Sequence, residues 1–234
     1  MKKIFYCFLL CNMISVSCTT QGSEKELRQQ ITSDSLSLIV VDIMAHKNND
    51  TIALMKALGI CDSMLEMKYK KPDGYEKSQI DFESSRRKTI LTNKSYILQL
   101  LNRQTDAFIL KNEIVDKDEN SIDRLIYNGE KQSLLGNRDS SYHYFSKAID
   151  LYKIQSRDKF DFDLLVKRLE IFYWSDQPKE AIAFLDSLKS EESDSTNAEI
   201  LEVLINIQSN EIWSAVKDFR DKIKPDQLHK LSNF

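Results

Sequence analysis

In the second half of the chain, small and large apolar residues follow a polar break at fixed offsets. In LLGNRDSSYHYFSKAIDLY, Gly136 marks a turn, and Ser141, Phe145 and Ala148 stand at +5, +9 and +12. Steps of three and four residues stay on one side of an α-helix, so these three residues share a face. A small residue at +5 allows the preceding helix to approach closely, and the aromatic residue at +9 fills the space between the two helices. The pattern predicts a closely packed helix pair.

The same offsets recur after two later breaks. Apolar helical segments at 162–175 and 197–208 precede these breaks, as expected for the first helix of each pair. The last unit departs from the pattern because a lysine stands at +12. The corresponding residues are Ala181, Leu185 and Leu188 after a turn near Asp176, and Ala215, Phe219 and Lys222 after a turn near Asn210.

This arrangement resembles the tetratricopeptide repeat, a helix–turn–helix unit of about 34 residues. The small positions Ser141, Ala181 and Ala215 are 40 and 34 residues apart, and Gly129 stands where the family has a small residue in its first helix. The family's tryptophan is missing from the first helices. The resemblance covers about residues 121–227. It implies antiparallel helix pairs stacked as a right-handed α-solenoid, whose concave surface binds a protein or peptide partner.

Composition favours an all-α fold. Five glycines and three prolines in 234 residues are too few for the many turns of a β-sandwich or barrel. The formal net charge is −3, and it becomes −5 when a leader carrying two lysines is removed (−3 − 2). No basic patch stands out along the chain, so nucleic acid is not expected as a partner.

The N-terminal half is predicted to form helix pairs of similar dimensions. These pairs are interpreted as diverged repeats, with an ordinary helical bundle as the alternative. Asp50 is a candidate N-cap for the second helix, and Asn120 or Ser121 opens the helix that begins the C-terminal half. The predicted helices span 34–46, 51–68 and about 77–92, followed by one long helix or two over 92–115 with a break near Asn102–Thr105. The apolar stripe predicted for the second of them is Ile52, Met55, Leu58, Ile60 and Met64.

The first residues of the chain have the layout of a secretory signal peptide. Lys2 and Lys3 precede an apolar run at 4–11, which is too short to span a bilayer, and small residues follow up to Cys18. A buried helix of a cytosolic domain is the alternative, but the flanking charges favour export. The ending SVSC also resembles the lipobox of bacterial lipoproteins, although Ser15 replaces the larger aliphatic residue usual at that position.

The lipobox resemblance implies an organisation in four parts and an address in the cell envelope. Residues 1–17 would be removed as a lipoprotein signal peptide, and Cys18 would be lipidated at the start of a flexible tether over 18–33. N-terminal helix pairs would occupy 34–118, and repeats like those of the tetratricopeptide family would occupy 119–234. The lipid would anchor the chain to a membrane, with the outer membrane as the expected location.

No pattern in the sequence predicts catalysis, a metal or a cofactor. Cys61 is the single cysteine of the predicted mature chain, so no disulfide forms within it, and it lies on an apolar helical face. His46, His143 and His229 stand far apart, without a second ligand at metal-binding spacing. The motifs of serine hydrolases, phosphate-binding loops and zinc proteases are missing from the sequence. We therefore do not expect an enzyme.

Three residues of segment 162–175 are the predicted contacts to a partner. Lys167, Glu170 and Tyr173 are spaced by three residues, so they share one face of the first helix in a pair. In a stack of repeats, that helix lines the concave surface. The sequence thus predicts a membrane-anchored scaffold or adaptor that binds a protein or peptide. The alternatives are an obligate structural subunit of an envelope complex and an immunity-type lipoprotein.

Overall fold

A computed structural model shows a helical protein. It describes the following residues: 24–69, 71, 74, 76, 78–156, 160–208, 211–223 and 227. Within these residues there are ten α-helices and no β-strand, so the predicted all-α class is confirmed. The chain divides into two compact units, a first unit from Met1 to Ile114 and a second unit from Val115 to Phe234. The predicted lipid site Cys18 lies outside the described residues.

The first unit contains four described helices, each packed against the next in sequence. Apolar side chains from all four form its core, which includes Val40 of the first helix and Ala107 of the last. The helices are α1 (Glu24–His46), α2 (Thr51–Glu66), α3 (Gln79–Leu100) and α4 (Gln104–Ile114).

Side-chain caps fix where two of these helices begin. The Asp50 carboxylate accepts hydrogen bonds from the backbone N–H groups of Ile52 at 2.9 Å and Ala53 at 3.0 Å, which confirms the predicted N-cap of α2. At α3, the Ser78 hydroxyl oxygen accepts from the Asp81 N–H at 3.1 Å, and the Asp81 carboxylate accepts from the Ser78 N–H at 3.2 Å. This reciprocal capping box satisfies N–H groups that a helix start otherwise leaves without partners.

Two helix boundaries differ from those predicted. Helix α1 begins at Glu24, not at residue 34, because 24–33 is a polar stretch without glycine or proline and continues the helix. Helix α3 continues through residue 92 to Leu100 instead of ending near 92, and Asn93 is buried inside it. The predicted break after α3 is confirmed, and its central residue, Asn102, has a φ of 57°.

The face that α2 turns to the core is not the predicted stripe. Leu58 and Met64 are buried as expected, but Ile52 and Met55 are 84% and 51% exposed. A second set of small and apolar residues at steps of three and four competes for the core, and the structure buries that set. Its members are Leu54, Ala57, Leu58, Cys61 and Met64.

The second unit contains six described helices. Helix α7 is central, since it contacts α5, α6, α8 and α10. Helix α5 also packs against α6, and α9 packs against both α8 and α10. The helices are α5 (Ile122–Leu134), α6 (Arg138–Gln155), α7 (Phe162–Trp174), α8 (Pro178–Glu191), α9 (Ser195–Gln208) and α10 (Glu211–Asp221). Of the two predicted caps of α5, Ser121 is confirmed, because its side chain accepts from the Arg124 N–H at 3.2 Å.

The close approach predicted for the first helix pair is present between α5 and α6. Ser141, Phe145 and Ala148 are all buried on one face of α6. Gly129 of α5 lies against the Phe145 ring so closely that a Cβ atom there would stand 2.5 Å from ring atom Cε1. A glycine is therefore required at that position for α6 to pack as it does.

The two later helix pairs, α7–α8 and α9–α10, match the repeat pattern less completely. Ala181 and Leu185 of α8 are fully buried, and Leu188 is half-buried. In the last helix pair, Asn210 and the side chain of Ala215 lie outside what the structure describes. Lys222 is exposed because α10 ends one residue earlier, and its Nζ pairs with Asp218 at 2.7 Å.

Charged and aromatic contacts hold helix α10 on α7. The Arg220 guanidinium lies 2.5 Å from the Asp176 carboxylate, which stands in the turn after α7. The Phe219 ring meets the Trp174 ring edge to face, with centroids 6.2 Å apart. These contacts join α10 to the end of α7 and its turn, and α10 also packs against α9.

Three turns within the described residues share one hydrogen-bond geometry. Asn102, Gly136 and Asp176 all have positive φ, and in each case the next residue's N–H donates to the carbonyl five positions earlier. The three donor–acceptor distances are 2.8, 2.9 and 2.9 Å. These turn residues are separated by 34 and 40 residues, and a small residue stands at +5 after each. Those residues, Ala107, Ser141 and Ala181, are all buried.

Candidate partner-binding surface

Helix α7 leaves one narrow stripe between two hydrophobic clusters. One cluster contains its residues Leu164, Ile171 and Trp174, together with side chains of α5 and α6. The other contains residues from the opposite side of α7, packed against α8 and α9. The residues between the clusters form what we call the α7 stripe. It consists of Asp163, which is exposed, and Val166, Lys167 and Glu170, which are half-buried.

Lys167 is engaged with the neighbouring helix. Its Nζ lies 2.9 Å from Oδ1 of Asp123 on α5, and each side chain is about 30% exposed. An ion pair with this much solvent contact contributes at most about 1 kcal/mol, and salt weakens it. The pair therefore orients the lysine within the α7 stripe and ties α7 to α5. The predicted residues Lys167 and Glu170 both lie in the stripe.

Tyr173, the third predicted contact, is buried. It is 2% exposed and packs in the cluster against α8 and α9, so the expectation that it faces a groove is wrong. It follows Leu165 and Leu169 at steps of four, which places it on their buried face. Its hydroxyl has no hydrogen-bond partner among the described residues, and burial raises the pKa of this group to about 12.

Arg168 is a further charged residue of α7 that sequence reasoning missed. Its guanidinium carbon lies 4.1 Å from the ring centre of Phe172 and 5.7 Å from that of Phe184. Burial lowers its pKa, while the nearby Tyr152 opposes that change. Two aromatic rings thus hold the cation, and this contact joins α7 and α8. Its spacing of four from Phe172 on the same helix was the sequence signal for this contact.

The cysteine and the histidines of the described residues do not assemble into a reactive site. Burial, and then the charge of Asp62, raise the pKa of the Cys61 thiol to about 11, which disfavours the thiolate that a nucleophile needs. His46 is hydrogen-bonded to Asp42 at 2.9 Å, and His143 is exposed beside the Tyr144 ring. Among these residues, no group of three or more His, Cys, Asp or Glu side chains is placed to hold a metal ion.

Each helix in the described ranges is either too short or too polar to cross a bilayer. Comparison of the chain with models of known protein families, with curated proteins and with solved structures finds no match.

Proposed function

We propose that this protein is a bacterial lipoprotein, anchored to a membrane of the cell envelope through Cys18, whose helical domain binds another protein or a peptide. Its helices form antiparallel pairs stacked as a right-handed α-solenoid of the tetratricopeptide type. The helical domain has no catalytic role of its own, and the bound partner determines the process in which the protein takes part. Three features of the sequence support the lipid anchor, namely the basic n-region, the apolar run and the SVSC ending.

The observation that carries the repeat assignment is the shared geometry of three turns. Asn102, Gly136 and Asp176 reverse the chain in the same way, and each is followed at +5 by a small buried residue. A small residue also precedes two of these turns by seven positions. Gly129 touches Phe145 in one pair, and in the other the Ser95 hydroxyl donates to the Ala107 carbonyl at 3.4 Å.

A rigid stripe between two packed clusters suits partner binding. The α7 stripe carries two acidic residues, an aliphatic residue and a salt-bridged lysine on a helix that is otherwise packed against its neighbours. A partner that docks on such a helix orders few side chains, so little conformational entropy is lost on binding. Recognition would combine burial of Val166 with charged contacts around it, as in the small energetic centre of many interfaces.

Site-specific photo-crosslinking tests the binding proposal in the full chain. A benzophenone amino acid replaces Asp163 or Val166 in the α7 stripe, and membranes are irradiated before purification and mass spectrometry. The matched control places the same group at Asp186, an exposed position of α8. One dominant crosslinked protein from the stripe positions, and none from the control, is the expected result. A dominant crosslink at Asp186 alone would move the interface to another surface.

The anchor is tested separately by the substitution Cys18→Ser. The parent chain, which has Cys18, should incorporate labelled palmitate and fractionate with membranes, whereas the variant should lose both properties. Incorporation of palmitate by the Ser variant would refute lipidation at this position.

A further inference from the structure

Exposed apolar side chains are concentrated in the first unit. Of the nine large apolar residues exposed in the described part of the chain, six belong to that unit. Single exposed apolar residues are ordinary in soluble proteins, so only residues on neighbouring elements can form a contact surface. The six are Leu38, Ile39, Ile52, Met55, Met67 and Ile80.

Four of these residues lie on two helices that pack against each other. We define them as the α1–α2 patch: Leu38 and Ile39 of α1, and Ile52 and Met55 of α2. Ile52 and Met55 are three residues apart on α2, on the side away from its core residues. That side is open further along the helix, because a Cβ atom built at Gly59 would have no heavy atom within 4 Å.

The position of α1 in the chain limits how far this patch can lie from a lipid anchor at Cys18. Helix α1 begins at Glu24, which leaves only residues 19–23 between the two. Five residues span at most about 17 Å when fully extended. The start of α1 would therefore remain next to the bilayer, where the tether gives the lipid surface a high effective concentration.

We propose that the α1–α2 patch rests on the bilayer surface to which the lipid anchors the chain. The inference rests on the proposed anchor and adds a second contact to it, with α1 lying along the membrane. Its aliphatic side chains insert at the level of the headgroups, as those of interfacial helices do. Lys47 and Lys56 are exposed beside the α2 part of the patch, but so are Asp42 and Asp50, so the contact rests on the aliphatic side chains and not on headgroup charge.

An environment-sensitive fluorophore measures this contact in the full chain. Ile52→Cys is labelled with a nitrobenzoxadiazole group, and Tyr142→Cys in the second unit is the matched control, since both positions are exposed. Cys61 is buried, and the parent chain without an added cysteine measures any labelling there. The lipidated protein is reconstituted in vesicles of phosphatidylethanolamine and phosphatidylglycerol. A second arm replaces residues 1–18 with a hexahistidine tag and uses vesicles that contain a nickel-chelating lipid.

The expected result is a shift of emission to shorter wavelength at position 52 but not at position 142, whether or not phosphatidylglycerol is present. Emission at position 52 that does not change on vesicles would overturn the inference. A shift that appears without vesicles and grows with protein concentration would also overturn it, because a second copy would then cover the patch. If mass spectrometry finds no acyl chain on Cys18 but the tagged arm shifts, the anchor fails while the surface contact stands.

Discussion

The contact between Gly129 and Phe145 gives the sharpest test of the helix pairing. In Gly129→Ala, the new methyl carbon would lie 2.5, 2.6 and 2.9 Å from three ring atoms of Phe145, against 3.4 Å or more in an ordinary contact. Phe145 is 3% exposed, so the ring has little free space into which to move. Overpacking of this kind costs about 1–3 kcal/mol. Alanine recovers about 0.5–1 kcal/mol of helix propensity over glycine, so the net loss is about 1 kcal/mol, within a range of about 0–2.5.

Urea unfolding followed by tryptophan emission measures this loss. Both tryptophans of the chain, Trp174 and Trp213, belong to the second unit, so their emission reports the unit that holds Gly129. With a slope of about 1–3 kcal/mol per molar urea, the midpoint should fall by several tenths of a molar. An unchanged or higher midpoint would refute the close approach of α5 and α6.

Two further variants separate the clash from a general effect of alanine. Gly59→Ala adds the same methyl group to α2, where no heavy atom would lie within 4 Å. It should raise the free energy of unfolding of the first unit by the propensity gain of about 0.5–1 kcal/mol. Urea unfolding followed by circular dichroism measures this change. In the second unit, Phe145→Leu should cost less in the Gly129→Ala background than alone, because the smaller side chain relieves the overlap. A coupling below about 0.5 kcal/mol would contradict direct contact.

Three more predictions concern the charged and polar groups described above. Tyr173→Phe should raise the free energy of unfolding by about 1 kcal/mol, because it removes a buried hydroxyl without a partner. The pKa of Tyr173 in the folded state, about 12, exceeds the ordinary tyrosine value of 10.0, so its ionisation costs no stability below pH 10 and lowers the stability as the pH rises towards 12. From pH 8 to pH 11, the urea midpoint should therefore fall less in the Phe variant than in the parent chain. Cys61 should react with a disulfide reagent far more slowly than a free thiol until urea unfolds the first unit, and a native rate equal to that of glutathione would contradict its burial. Lys167→Met should lower the unfolding free energy by no more than about 1 kcal/mol, and 1 M sodium chloride should abolish the difference from the parent.

The features that the sequence predicted correctly depend on neighbours within one helix pair. The offsets after Gly136 and Asp176 place small residues where two consecutive helices meet, and those residues are buried. Such contacts need only helix periodicity and a turn, both of which a local pattern contains. The cap at Asp50 is equally local, because its hydrogen bonds join residues two and three positions apart.

The features that were missed depend on which of two possible faces the rest of the molecule covers. Helix α2 offers overlapping apolar stripes, and the packing of α1 and α3 buries the one with Ala57 instead of the one with Ile52. Tyr173 fits either a groove or a core at its spacing, and contact with α8 and α9 decides for the core. The break near Asn102 was predicted, but its likeness to the turn at Gly136 was not, because asparagine, not glycine, adopts the left-handed conformation there. Its distance of 34 residues from Gly136 was the available signal.

The contact between Asp176 and Arg220 bears on how the sequence of such a chain can diverge. An aspartate has a higher conformational energy than a glycine in the left-handed region. Here, however, its carboxylate also binds the arginine of α10. One residue thus serves both chain reversal and the attachment of α10. Because an ion pair and an aromatic contact secure α10, a small residue at +12 is not needed there, and Lys222 stands at that position. In related chains, we expect the aspartate and arginine to change together, whereas the positions around Lys222 vary independently.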